Sequence, residues 1–206
     1  NSGYAMLGDI FNRYGVQTKS LLNRPTTSDL SKASIYIIVD PDTEKETEKP
    51  NYIDPKLPIS LSSWVNNGGV LVLLSNDASN AEFKNFNKLA AKFGIQFNED
   101  SKNRVQNDQY EQGAVITSTD NLIFTPNRKL FIKEYSSLQV TSPAVTVLKN
   151  GEDNVMAVAK YGKGTVFAFG DPWIYNEYLD GRRLTPGFDN YQAAEEWVKW
   201  LIKQTK

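Results

Sequence analysis

Cysteine and histidine are both missing from the 206 residues. Without them there is no thiolate nucleophile, no Ser-His-Asp triad, no disulfide and no thiolate or imidazole zinc site. Carboxylates, Lys, Tyr, Ser and Thr remain for any catalysis, and nothing in the composition implies a cofactor. A chain without cysteine also suits an exported bacterial domain, so a periplasmic or otherwise exported location is expected. Neither sign of charge is in excess: 23 Lys and Arg are interspersed with 24 Asp and Glu, for a net charge of −1. Nucleic acid is therefore not an expected partner. No apolar run approaches the roughly 20 residues of a helical membrane span, so none is expected. Initiator Met and signal peptide are lacking at Asn1-Ser2-Gly3. The expectation is one domain over residues 1–206, excised from a longer protein.

What is present reads as alternating elements. Met6, Leu7, Ile10 and Phe11 fall at helical spacing between Tyr4 and Tyr14, with Gly15 to close the helix. Residues 16–22 alternate like a strand, and 24–29 read as loop. Residues 35–39 and 69–74 are continuous apolar runs, as in strands buried on both faces of a parallel sheet. Between them lie a long loop, 41–58, and a helix from Ile59 to Asn66. Phe83, Phe86, Leu89, Ala90 and Phe93 share one face of a helix over 81–93, and Ala194, Trp197, Val198 and Leu201 do so over 191–203. Short strands are expected at 114–118, 129–133, 137–140, 145–149 and 155–160, then a hairpin turn at Gly162-Lys163-Gly164 and a buried strand at 165–169. The βαβα rhythm predicts an α/β three-layer sandwich with a mainly parallel sheet and an antiparallel extension over residues 100–160.

In such a sheet, ligands bind beyond the carboxyl ends of the strands. Three strands end in polar residues: Asp40 and Asp42; Ser75, Asn76, Asp77 and Asn80; then Asp171, Trp173, Tyr175, Asn176, Glu177 and Arg182. The expected binding rim is Asn76, Asp77, Asn80, Asp171, Trp173, Tyr175, Asn176 and Arg182. Aromatic faces stack on pyranose rings and amides bond hydroxyls, so an oligosaccharide is the expected ligand. Packing of these aromatics against a partner domain fits the same residues. Ser75 follows a strand as a nucleophile would, yet has no His for a base. Carboxylates such as Asp77, Glu82, Asp171, Glu177 and Asp180 are numerous enough for a glycosidase pair, but number is not geometry.

Two resemblances sharpen the alternatives. Asp40 and Asp42 after an apolar strand, Ser75 after the next, and Asp171 after Phe169-Gly170 resemble the motifs of haloacid-dehalogenase-type phosphohydrolases. That implies Asp40 as nucleophile, Asp42 as proton donor, Ser75 on the phosphoryl oxygens and Mg²⁺ beside Asp171. The sequence departs from the pattern at Tyr175, where a second acid is due, and in the elements that precede Asp40. Over nearly the whole chain, the order 68–77, 80–95 and 161–178 is similar to glutamine-amidotransferase-like domains. The particular likeness is to the accessory domain of unsaturated rhamnogalacturonyl or glucuronyl hydrolases from glycan-degrading bacteria. The amidotransferase Cys and His are absent, so that activity is not implied. The resemblance implies a non-catalytic accessory domain that binds carbohydrate or docks to a hydrolase domain of the same protein.

Overall fold

The structure, a computed structural model, describes residues 4–205. Short-range signals account for most of its elements. Helix α1 (Ala5–Arg13) buries Leu7, Ile10 and Phe11 along one stripe. Helix α2 (Thr27–Lys32) opens on a capping box in which the side chains of Thr26 and Asp29 bond each other's backbone N–H. This stretch was expected as loop, although Thr followed three residues later by Asp carries the signal. Strand β1 (Ile35–Val39) leads through the long loop to α3 (Leu57–Asn66), which has Pro58 in its first turn, and then to β2 (Val70–Leu74). The Glu82 carboxylate caps α4 (Phe83–Ala90), and a 3₁₀ turn over Ala91–Phe93 ends on left-handed Gly94.

The remaining strands are β3 (Ile95–Phe97), β4 (Ala114–Ile116), β5 (Lys129–Phe131), β6 (Leu138–Val140), β7 (Ala144–Asn150), β8 (Asp153–Tyr161) and β9 (Gly164–Phe169). Helix α5 (Asn190–Lys203) follows. Residues 16–22, expected as a strand, form none.

Sheet order is β1-β2-β9-β8-β6-β3, with β7 also paired to β8, and β4-β5 forms a separate ribbon. Only β1 with β2 and β2 with β9 pair in parallel; β9 with β8, and β8 with β7 and β6, pair antiparallel, as does β6 with β3. The expected mainly parallel three-layer sandwich is thus corrected. The sheet is mixed, mostly antiparallel, and curls into a half-barrel. One short turn is the physical reason. Tyr161 pairs with Gly164, and Gly162 at φ +57 closes the hairpin between them. A two-residue connection can join only antiparallel neighbours. The central strand β9 therefore brings β8, and all that pairs with β8, into the same sheet in opposite sense. Two register shifts on β7 add to its bending.

Alternation along β2 and β9 divides the core between the two faces of the sheet. Val70, Val72, Leu74, Phe167 and Phe169 pack with α1 and α5, while Leu71, Leu73, Val166 and Ala168 pack with α3 and α4. On the first face Trp197 of α5 stacks on Tyr175, with ring centroids 4.2 Å apart, and meets Phe11 edge-on at 6.4 Å. Among the described residues no helix is long and apolar enough to cross a membrane.

Candidate functional site

Strands β1, β2 and β9 end in register at Val39, Leu74 and Phe169. The ladder continues one step further, since Asp40 N–H donates to the Leu74 carbonyl at 2.8 Å and Ser75 N–H to that of Phe169 at 2.9 Å. Asp40, Asn76 and Asp171 are thereby delivered to one rim, as the sequence predicts for parallel strands. Asp40 holds a left-handed backbone at φ +44, a conformation uncommon for a residue with a side chain. Its Oδ2 accepts a hydrogen bond from Asn76 Nδ2 at 3.1 Å, and Asn76 Oδ1 accepts from Asp77 N–H at 2.8 Å. Asp77 in turn accepts from the Asn80 amide at 2.6 Å and from the Ser101 hydroxyl. Asp171 is fully buried and accepts from Trp173 N–H at 2.7 Å.

Burial sets the electrostatics of this rim. It pushes the Asp40 carboxyl up to about 7; the Asn76 bond opposes the rise, and the nearby Glu46, Asp42 and Asp77 add to it. Asp171 is pushed well above the ordinary carboxylate range by burial, against the Trp173 bond and the Lys133 charge. The Tyr175 phenol is raised by burial and then by Asp171. Tyr4, from the residue that precedes α1, belongs to the same group. Its hydroxyl donates to the Pro172 carbonyl at 3.4 Å, and burial, then Asp40, then Asp171 raise its pKa. From the sequence Tyr4 is expected only at the start of the first helix; an aromatic side chain just outside the helix stripe is the signal available.

Other expected rim residues lie elsewhere. Tyr175 is 0% exposed and stacked on Trp197, so its ring offers no face to a ligand at the surface. Trp173 is half-buried and packs into a separate aromatic cluster with Phe131 and Tyr178. Asn176 is half-buried and ends the 3₁₀ turn Trp173–Tyr175. Arg182 is exposed and bound through Nε to both carboxylate oxygens of Asp180 at 2.9 Å. Asn80 is exposed beside Asp77.

The phosphohydrolase reading finds no support in this arrangement. Asp40 is tied to Asn76 and drawn toward its protonated form, where a nucleophile must be ionised. Ser75 is fully buried and donates to the Asn76 carbonyl at 3.3 Å. Asp42 is half-buried on the following loop. Among the described residues no three acidic side chains come together to hold a metal ion. A groove of about 820 Å³ runs along the free edge of β1 from Tyr36 to Asp42, walled by residues 21–24 and 50–55.

With this geometry in view, one family accounts for the sequence: the lacto-N-biose phosphorylase central domain matches residues 27–174. The chain belongs to that family. The match corrects the resemblance to amidotransferase-like accessory domains of unsaturated uronyl hydrolases, whose strand-turn and strand-aromatic patterns recur in many α/β proteins. No curated sequence matches the chain. Solved structures share the fold of this central-domain family member at low identity. The mmIFT52 N-terminal domain is 17% identical with a TM-score of 0.74, covering 98% of this chain and 91% of its own. A cytoplasmic protein from Salmonella typhimurium LT2 is 17% identical with a TM-score of 0.67, covering 100% and 89%. The β-galactosidase from Rahnella sp. R3 is 16% identical with a TM-score of 0.54 over 83% of this chain. Only 22% of that β-galactosidase is covered, so the central domain spans about a fifth of it.

Proposed function

We propose that this protein is a non-catalytic accessory module of a carbohydrate-processing polypeptide, and that it binds a saccharide or packs against the catalytic domain it accompanies. The observation that carries this reading is the family match, a phosphorylase central domain, over residues 27–174. A β-galactosidase containing the same fold as a minor part of its length supports it. The rim carboxyls are held from within the domain, Asp40 by the Asn76 amide and Asp171 by Trp173 N–H. On this reading residues 1–206 form one module of a longer protein, and export accompanies it; fractionation of the native host tests the location.

Titration calorimetry and amide chemical shifts with lacto-N-biose, galacto-oligosaccharides and uronate-containing oligosaccharides test binding. Co-purification with the remaining domains of the parent protein tests docking. A response in either experiment is expected. Silence in both overturns the accessory role.

A further inference from the structure

We infer that the free edge of β1 is the docking strip of this module. It takes an extended segment of the catalytic domain the module accompanies, added to the sheet as a further strand and carrying Lys or Arg beside Asp42. This inference rests on the docking arm of the reading above and gives the docked segment its chemistry.

Backbone alternation fixes which groups face the edge. Val70 N–H donates to the Ser34 carbonyl at 3.0 Å and Asp40 N–H to that of Leu74 at 2.8 Å, so Ser34, Tyr36, Ile38 and Asp40 turn their backbone toward β2. Successive residues of a strand present their N–H and C=O to opposite edges. Ile35, Ile37 and Val39 therefore present theirs outward. The one strand paired with β1 is β2, and among the described residues no backbone group bonds these outward N–H and C=O groups. Beside them lies the groove of about 820 Å³, lined by β1 itself and by residues 21–24 and 50–55. A row of unpaired backbone groups along a groove is a template for one more strand.

The lining of the groove selects the occupant. Leu22, 89% exposed, and Tyr52, 41% exposed, offer apolar surface to alternate side chains of an added strand. Arg24 is the one cation in the lining, and it is bound to Asp54. Asp40 and Asp42, at the end of the groove beyond Val39, are thus left with no ion-pair partner among the described residues, and Glu46 adds to the negative field at Asp40. A Lys or Arg on the added strand supplies the missing charge, whereas a Glu there meets like charges. The edge lies inside a groove, so a slim extended segment reaches it; the edge of a second copy lies inside the same groove of its own.

Amide-resolved hydrogen exchange of the full chain tests this, with acetyl-Lys-Thr-Val-Thr-Val-Thr-Lys-amide at millimolar concentration as the probe. The amides of Ile35, Ile37 and Val39 are expected to exchange at least about ten-fold more slowly with the peptide present. Those of Tyr36 and Ile38, already bonded to β2, change little. N-methylating one of the two alternate sets of peptide nitrogens is expected to abolish the protection, and methylating the other set to leave it. With Glu in place of both Lys, the peptide is expected to bind at least about ten-fold more weakly, and Asp42→Lys, on the loop after β1, to reverse that preference. In the complex with the remaining domains of the parent protein, the same three amides are expected to be protected. Equal effects of the two methylated sets, indifference to the end charges, or no protection by the peptide overturns the inference. Protection of Ile37 that appears without peptide and grows with protein concentration assigns the edge to a second copy and also overturns it. Docking of the remaining domains that leaves Ile35, Ile37 and Val39 unprotected overturns the edge and leaves the accessory role standing. That role falls only if docking and saccharide binding both fail.

Discussion

Asp40 owes its raised pKa chiefly to burial, and the sign of the consequence for stability follows from linkage. Its folded value of about 7 lies above the ordinary 3.8, so the folded protein holds this proton more tightly than the unfolded chain does. The contribution is fully present below about pH 4 and is lost as pH rises through about 7. Allowing for solvent screening of a carboxyl that is not fully enclosed, the loss is on the order of 2 kcal/mol. Asp171 shifts in the same direction and deepens the loss. Urea unfolding at pH 5 and pH 8 is expected to give a lower midpoint at pH 8, and Asp40→Asn to recover part of the difference. Equal midpoints in the parent would contradict the buried-acid account. Backbone crowding gives a second prediction at this scale. A Cβ on Gly170 would stand 1.8 Å from the Ser136 carbonyl oxygen, in the stretch where Ser136 N–H donates to the Gly170 carbonyl at 3.0 Å. Backbone on both sides cannot yield, so Gly170→Ala is expected to cost more than about 4 kcal/mol or to abolish soluble expression. A midpoint within experimental error of the parent would show that the strand end can shift.

Helix α5 is tied to the loop between β4 and β5, whose Phe124 packs in the same core. Its Glu196 accepts from Thr125 N–H at 3.0 Å, from the Thr125 hydroxyl and from Arg128 Nη2 at 2.7 Å, clasping the loop between β4 and β5. Burial works against the Glu196 carboxylate, yet these bonds outweigh it and hold the pKa below the ordinary range. A lowered acid contributes stability that is present above its unfolded value and lost as pH falls below about 4.5. Its slope is therefore opposite to that of Asp40. Glu196→Ala is expected to destabilise by about 1–2 kcal/mol at pH 7 and by much less at pH 3, read from denaturation midpoints at the two values. An effect that does not change with pH would assign the loss to packing instead of to the charge. Element positions of this kind were largely legible from period and punctuation. The stripes of α1 and α5 and the apolar runs of β1, β2 and β9 lie where the periodicity puts them, within a few residues. Residues 16–22 form no strand because an alternating pattern records only which side chains can turn inward, and no partner edge reaches them.

Across the whole molecule one sheet serves both cores, since neighbouring residues of β2 and β9 point to opposite faces. Loss of either face strips the sheet of half its burial, so the two cores are expected to unfold together. In a Trp64→Phe background, which removes the tryptophan of the α4 face and leaves Trp197 and Trp200 on the other, Phe86→Ala is expected to cost about 3–5 kcal/mol and to lower the tryptophan-fluorescence and circular-dichroism midpoints by the same amount. Separate transitions would mean that the faces melt independently.

By itself the sequence determined the local elements, the Gly162 hairpin and the polar residues that follow β1, β2 and β9, because spacing and turn chemistry act within a few residues; that these strands lie side by side and bring Asp40, Asn76 and Asp171 to one rim was decided by their pairing. Only the tertiary structure decided that the hairpin inserts its strands into the same sheet, which makes the pairing mostly antiparallel. It also decided that Tyr175 turns into the core against Trp197, and that Tyr4, more than 160 residues away along the chain, lies over the strand ends beside Pro172. A hydrophobic period reports that a side chain seeks burial. Which distant surface receives it is set by long-range register and packing, where burial of Tyr175 and Trp197 together outweighs any gain from leaving either at the rim.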